Sequence, residues 1–183
     1  MRDSIKIRGL VTVRVLDGDG EVKRGAPGFW RKLCGMRGRR MEYRHHNIVT
    51  RQGDALIADA LLLSPARAKI GSGSGFIQIG TGWTGNNTKQ NTRCNAAAGN
   101  ITALESGLPI LKGAWGSAGD TTVIYRATFT AGSLDGVIIN EACLLNGNGM
   151  GADCLAYAQI APSATVTASD TLQVVWEITI CGE

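Results

Sequence analysis

From Ile5 to Leu16 the chain alternates, with Ile5, Ile7, Val11, Val13 and Val15 apolar and Lys6, Arg8, Thr12 and Arg14 between them. Successive side chains of a strand point to opposite faces, so this two-residue period predicts a strand with one buried face. Other stretches read the same way. "FIQIG" (76–80) is short and apolar, and Val123, Tyr125, Ala127 and Phe129 alternate with polar positions. "GVIINEACLL" (136–145) and "CLAYAQIA" (154–161) flank the turn "NGNGMGAD", and Leu172, Val174, Trp176, Ile178 and Ile180 alternate against Gln173, Glu177 and Thr179. A single segment follows the helical period. Leu56, Ala60 and Leu63, with Ile57 and Leu61, form a stripe at three- and four-residue spacing that predicts a helix packed on a sheet and stopped by Ser64-Pro65. Between "FIQIG" and about residue 120 no period holds, and a long loop is expected there. Strands and turns in this rhythm predict a mainly β fold, an antiparallel sandwich or barrel with one flanking helix.

The chain has 183 residues, enough for one well-cored domain. Its 25 glycines suit many turns, and 44% hydrophobic residues suffice for a core. No apolar run is long enough for a membrane-spanning helix, and "MRDSIKIRG" lacks the apolar stretch of a secretion signal, so a protein made in a cytosol is expected. The net charge of +4 conceals an asymmetry: residues 1–51 hold thirteen of the nineteen basic and five of the fifteen acidic side chains. That part alone carries +8, and such a two-ended chain points to an acidic partner. The excess concentrates in an inserted basic arm at about 24–44, where Arg31, Lys32, Arg37, Arg39, Arg40 and Arg44 are interleaved with Phe29, Trp30 and Tyr43. Glycines break any helix here, so an extended arm is expected, with these nine residues as its contacts to a partner.

Candidate chemistry thins out on inspection. "GTGWTG" (80–85) matches the dinucleotide fingerprint G-x-G-x-x-G, but the polar "NNTKQNTRCNAAAGN" that follows cannot supply the phosphate-facing helix. A strand running into a glycine-rich loop is the better reading, and no cofactor is expected. "DGDG" (17–20) reads as a hairpin turn; as a calcium loop it would need a glutamate at position twelve, which is Gly28. His45 and His46 are neighbours that a strand points apart, with no H-E-x-x-H ligand set, and no metal is expected. There is no G-x-S-x-G elbow; carboxylate pairs are conceivable, for example Glu141 with Asp135 or Glu177, but acidic residues are few and fall mostly at turns or on strand faces. Cys34, Cys94, Cys143, Cys154 and Cys181 are odd in number, scattered and never C-x-x-C, and are expected as free thiols, with Cys143 and Cys154 best placed to be buried. The sequons at Asn86 and Asn100 matter only in a secreted protein.

The order of these signals resembles small structural proteins of tailed bacteriophage particles. The resemblance is carried by "HHNIVTRQGDALIADALL", then "IQIGTGWTGNNT", "YRATFTAGSLDGVIINEACLLN", "LAYAQI" and the closing "SDTLQVVWEITI", with Asn47 to Leu63 as helix entry, Ile79-Gly80-Thr81-Gly82 as strand end and Ile139-Asn140-Glu141-Ala142 within a strand. Cys143 departs from the pattern where glycine is expected, and the basic arm is longer than the pattern has. The resemblance implies a jelly-roll-like β-sandwich without enzymatic activity, built into a virion after synthesis in the host cytoplasm. The expected role is head decoration or cement, through contacts with capsid or tail proteins and with its own copies. Two alternatives stay open: a tail or fibre component using Trp83 or Trp115 to bind carbohydrate or receptor, and a structural protein whose arm contacts nucleic acid. No membrane partner is expected.

Overall fold

A computed structural model describes residues 5–27, 32–34, 36–85 and 88–182. Two five-stranded antiparallel sheets face each other. The first runs β2 (Glu42–His46), β1 (Ile5–Leu16), β10 (Thr171–Gly182), β7 (Thr122–Phe129), β6 (Ile110–Leu111). The second runs β3 (Ile48–Val49), β9 (Cys154–Thr165), β8 (Ile138–Leu145), β4 (Phe76–Gly80), β5 (Ala97–Ala103). The chain changes sheets four times, at Asn47 between β2 and β3, then between β5 and β6, between β7 and β8, and between β9 and β10.

The alternating positions do what their period requires. Val11, Val13 and Val15 of β1, Ala127 and Phe129 of β7, and Leu172, Val174 and Trp176 of β10 meet Ile77, Ile79, Ala142, Leu144, Ala158 and Ile160 of the second sheet in one hydrophobic core. Fully burying side chains of this kind stabilises by roughly 1.5–3 kcal/mol each, which is what holds the sheets together. The second sheet is buried on its outer face as well. There Cys143, Leu145, Cys154 and Tyr157 form a second cluster with Cys94, against which Trp83 and Phe76 pack. That double burial explains why "ACLL" (142–145) and "CLAYA" (154–158) are apolar without interruption.

The helix, α1 (Arg51–Ala60), is shorter than its sequence stripe. Thr50 caps it, accepting from Gly53 N at 3.0 Å while its hydroxyl donates to Cys154 O, and Gln52 Oε1 accepts from Cys154 N at 2.9 Å. Gly53 lies so close to β9 that a Cβ there would stand 2.1 Å from Leu155 O. Pinned by this first turn, α1 buries Leu56 and half-buries Ile57, then stops at Ala60; Leu61, Leu62 and Leu63 turn outward, 85%, 57% and 102% exposed. The expected stripe therefore ends one turn early, and Asp59 takes up the chain beyond by accepting from the main-chain N–H groups of Ala66 and Arg67.

The long loop expected after β4 contains two strands. β5 pairs with β4 and β6 with β7, yet "AAGNITA" and "IL" have no alternating apolar face to announce them; edge pairing alone makes them strands. Among the described residues, no helix is long and apolar enough to cross a membrane.

Candidate functional site

Glu141 is completely buried on the outer face of β8, and its carboxylate gathers a loop around itself. Oε1 accepts from Gly82 N and Ala96 N, both at 2.9 Å; Oε2 accepts from Asn95 N at 3.0 Å and from the Tyr157 hydroxyl. A carboxylate offers about four acceptor positions, and these four donors occupy them. Asn140 Oδ1 adds a bond from Trp83 N at 3.1 Å. Both ends of the 81–96 loop are thus tied to β8, the incoming end at Gly82 and Trp83 and the outgoing end at Asn95 and Ala96. The glycines of "GTGWTG" serve this clamp: a Cβ on Gly80 would stand 2.4 Å from Glu141 Oε1, and one on Gly82 2.5 Å from Ala96 N. Burial and the hydrogen bond to Glu141 push the Tyr157 hydroxyl far above its ordinary pKa, keeping it a donor. The arrangement holds a loop in place with every acceptor engaged, which is architecture.

Around the clamp lie three free thiols, Cys94, Cys143 and Cys154, all buried as expected of the latter two. Cys94 donates to Cys143 across 3.6 Å, and Cys143 is also within reach of Gln78 Oε1 at 3.5 Å. No group of three or more His, Cys, Asp and Glu side chains among the described residues is arranged to hold a metal ion. His45 points inward, accepting from Ala161 N at 3.0 Å, while His46 is exposed, the divergence that adjacent strand positions require. Glu141 and Glu177 belong to different sheets, and Glu177 instead pairs with Lys112 at 2.7 Å.

The basic arm is more closely tied at its root than its composition conveys. Asp17 closes the "DGDG" turn by accepting from Asp19 N and Glu21 N, and the returning chain then joins the sheet edge. Lys23 N donates to Val15 O, Val15 N to Met41 O, Met41 N to Lys23 O, and Gly25 N to Arg39 O, all within 3.0 Å. Among the described residues, this ladder ends at the Gly25–Arg39 bond. Of the nine residues expected to contact a partner, Phe29, Trp30 and Arg31 lie outside the described residues. Lys32, Arg37, Arg39 and Arg40 are exposed, as are the apolar Leu33 and Met36 beside them. Tyr43 and Arg44 are occupied differently: Tyr43 packs against the sandwich core, and Arg44 pairs with Glu42 at 2.9 Å. Arg24, Arg37 and Arg40 share a recess with Asp17 and Glu21, whose charges offset theirs.

Trp83 is half-buried against the thiol cluster, whereas Trp115 is 92% exposed. Sequence reasoning missed the outward turn of Leu61–Leu63. The helical period of those leucines is real, and nothing in it says that Gly53 and Thr50 fix the helix where its last apolar positions overshoot the sheet.

No protein-family model, curated protein or solved structure matches this chain.

Proposed function

We propose that this protein is a non-enzymatic building block of a tailed-phage virion, a decoration or cement protein that adheres to the shell and to its own copies. The observation that carries the reading is the leucine triplet. Three consecutive leucines held outward by a capped helix are costly to hydrate and are the kind of apolar feature that marks an interface. They follow Ala60 on the rim of a pocket of about 220 Å³, lined also by Leu56, Ile57, Ile70, Tyr125 and Leu155. A second copy brings leucines to this pocket and receives them in its own, the self-complementary exchange of a two-fold contact. The arm is the second attachment device, with Leu33 and Met36 beside exposed cations suited to acidic side chains of a neighbour. An interface that holds a particle together buries well over about 1,000 Å². The jelly-roll-like description rests on β1 pairing with β10 in one sheet while β3, one crossing later, pairs with β9 in the other.

Light scattering tests the self-association: wild-type chain runs as an oligomer and the Leu61→Asp/Leu63→Asp variant as a monomer. Replacing residues 26–38 with a short Gly-Ser turn leaves the Gly25–Arg39 ladder closed and the sandwich folded, and removes incorporation into particles. A chain that is absent from the proteins of purified phage particles overturns the virion reading. A second reading, carbohydrate binding at a fibre tip, is favoured by Trp115 alone; a glycan array without hits disposes of it.

A further inference from the structure

The sulfurs of Cys94 and Cys143 lie 3.6 Å apart between the 81–96 loop and the outer face of β8, although the two residues are 49 positions apart in the chain. Both are positioned by Gln78 of β4. Cys143 is its partner in the strand register, and Cys94 reaches it twice, through N to Gln78 Oε1 at 3.3 Å and Sγ to Gln78 O at 3.5 Å. Two thiols held against one residue have few ways to avoid each other. We propose that Cys94 and Cys143 form an oxidation site, at which a peroxide converts the two thiols into a disulfide that staples the 81–96 loop to β8.

The new bond brings the sulfurs to about 2.05 Å, a closure that side-chain rotation with a small movement of the loop supplies. Cys94 is on the loop and 8% exposed, whereas Cys143 is on a central strand and fully buried, so the oxidant enters from the loop side. Burial raises the Cys143 thiol, but hydrogen bonds from Cys154 and Cys94 and the charge of Arg93 outweigh it and hold Cys143 low, while burial and the neighbouring Cys143 push Cys94 up. Cys143 is accordingly the more acidic thiol of the pair, the one that reacts as thiolate. It attacks one oxygen of hydrogen peroxide, breaking the O–O bond; the Cys143 sulfenic acid forms and the other oxygen leaves as hydroxide, which takes a proton to become water. Cys94 sulfur then attacks the sulfenic sulfur, its proton and the departing hydroxide leaving as a second water. The two cysteines lose two electrons in total and the peroxide gains them. Cys154 of β9 is the competing partner, and its main chain is held at both its N–H and its carbonyl by Gln52 and Thr50.

The test uses the full chain, with Cys34 and Cys181 first alkylated in the native state because they are the more exposed thiols. Treatment with hydrogen peroxide is expected to remove two hydrogens from the intact mass. Peptide mapping then finds Cys94 linked to Cys143, and dithiothreitol reverses both changes. The cross-link closes a long segment, so the unfolding midpoint rises by roughly 5–10 °C. Cys94→Ala and Cys143→Ala each abolish the mass change and Cys154→Ala leaves it; the peptide map of the unmutated chain gives the answer even if a variant folds poorly. A map linking Cys143 to Cys154, sulfinic or sulfonic products without a cross-link, or thiols that stay reduced throughout overturns the proposal.

Discussion

Lys23 Nζ lies 2.8 and 2.6 Å from the two carboxylate oxygens of Asp170, joining the root of the basic arm to the turn that opens β10. Asp170 is almost wholly buried, and Thr167 completes its shell by donating through its N–H at 2.9 Å and its hydroxyl at 2.7 Å. Burial raises the Asp170 pKa, and Lys23 with the Thr167 donors more than offsets it, so the carboxyl titrates below its ordinary value of 3.8. A folded-state pKa below the unfolded one gives stability that is fully present above the unfolded value and lost as pH falls through the folded one. Asp170→Asn is therefore expected to cost about 2 kcal/mol in urea denaturation at pH 7. The gap to wild type should hold down to about pH 5 and close below the ordinary carboxyl range. A gap that persists undiminished into strong acid contradicts the assignment.

Removing the charge at the loop clamp should cost more. Glu141→Gln replaces one acceptor oxygen with an N–H₂ group that faces main-chain donors, leaving buried N–H groups unpaired at a cost of about 3 kcal/mol or more. Tyr157→Phe removes one donor of four and should cost about 1–2 kcal/mol. Hydrogen exchange should show the Gly82, Asn95 and Ala96 amides losing protection in the first variant before the rest of the sheet does.

Gly53→Ala distinguishes packing from propensity. An exposed helical glycine gains up to about 1 kcal/mol on conversion to alanine. Here the added Cβ would stand 2.1 Å from Leu155 O, against a backbone that cannot step aside, so the sign reverses. A loss of about 2 kcal/mol or more is expected, with thermal unfolding as the measurement. A stabilised variant would mean that α1 is not seated on β9 as described.

Leu61→Asp/Leu63→Asp should leave the stability of the monomeric fold within about 0.5 kcal/mol per site, because both side chains are already in solvent. A large loss in urea denaturation at low concentration would show that these leucines are part of the fold rather than of an interface.

The strands with a buried face were legible because a period of two is a local property. β1, β7 and β10 each state it in their own residues, and β8 and β9 do so less cleanly, being buried on both faces. β5 and β6 were not legible, since "AAGNITA" and "IL" become strands only when β4 and β7 lie beside them. In the candidate interface, the exposed cations of the arm were visible as composition. That Tyr43 would also pack on the core and Arg44 pair with Glu42 was not visible there, because whether a side chain reaches its own sheet depends on β2 pairing with β1.

By itself, the sequence determined that this chain folds as alternating strands with a helical segment between them, and that its positive charge gathers near one end. Tertiary structure alone decided that Glu141 would close on a loop forty-five and more residues away in the chain, that three scattered cysteines would share one buried space, and that the last leucines of the helix would face outward. The physical reason is one of range. Period, turn chemistry and charge act between neighbours in the chain, whereas burial, hydrogen-bond partners and exposure are set by whichever distant segments the packed sheets bring together.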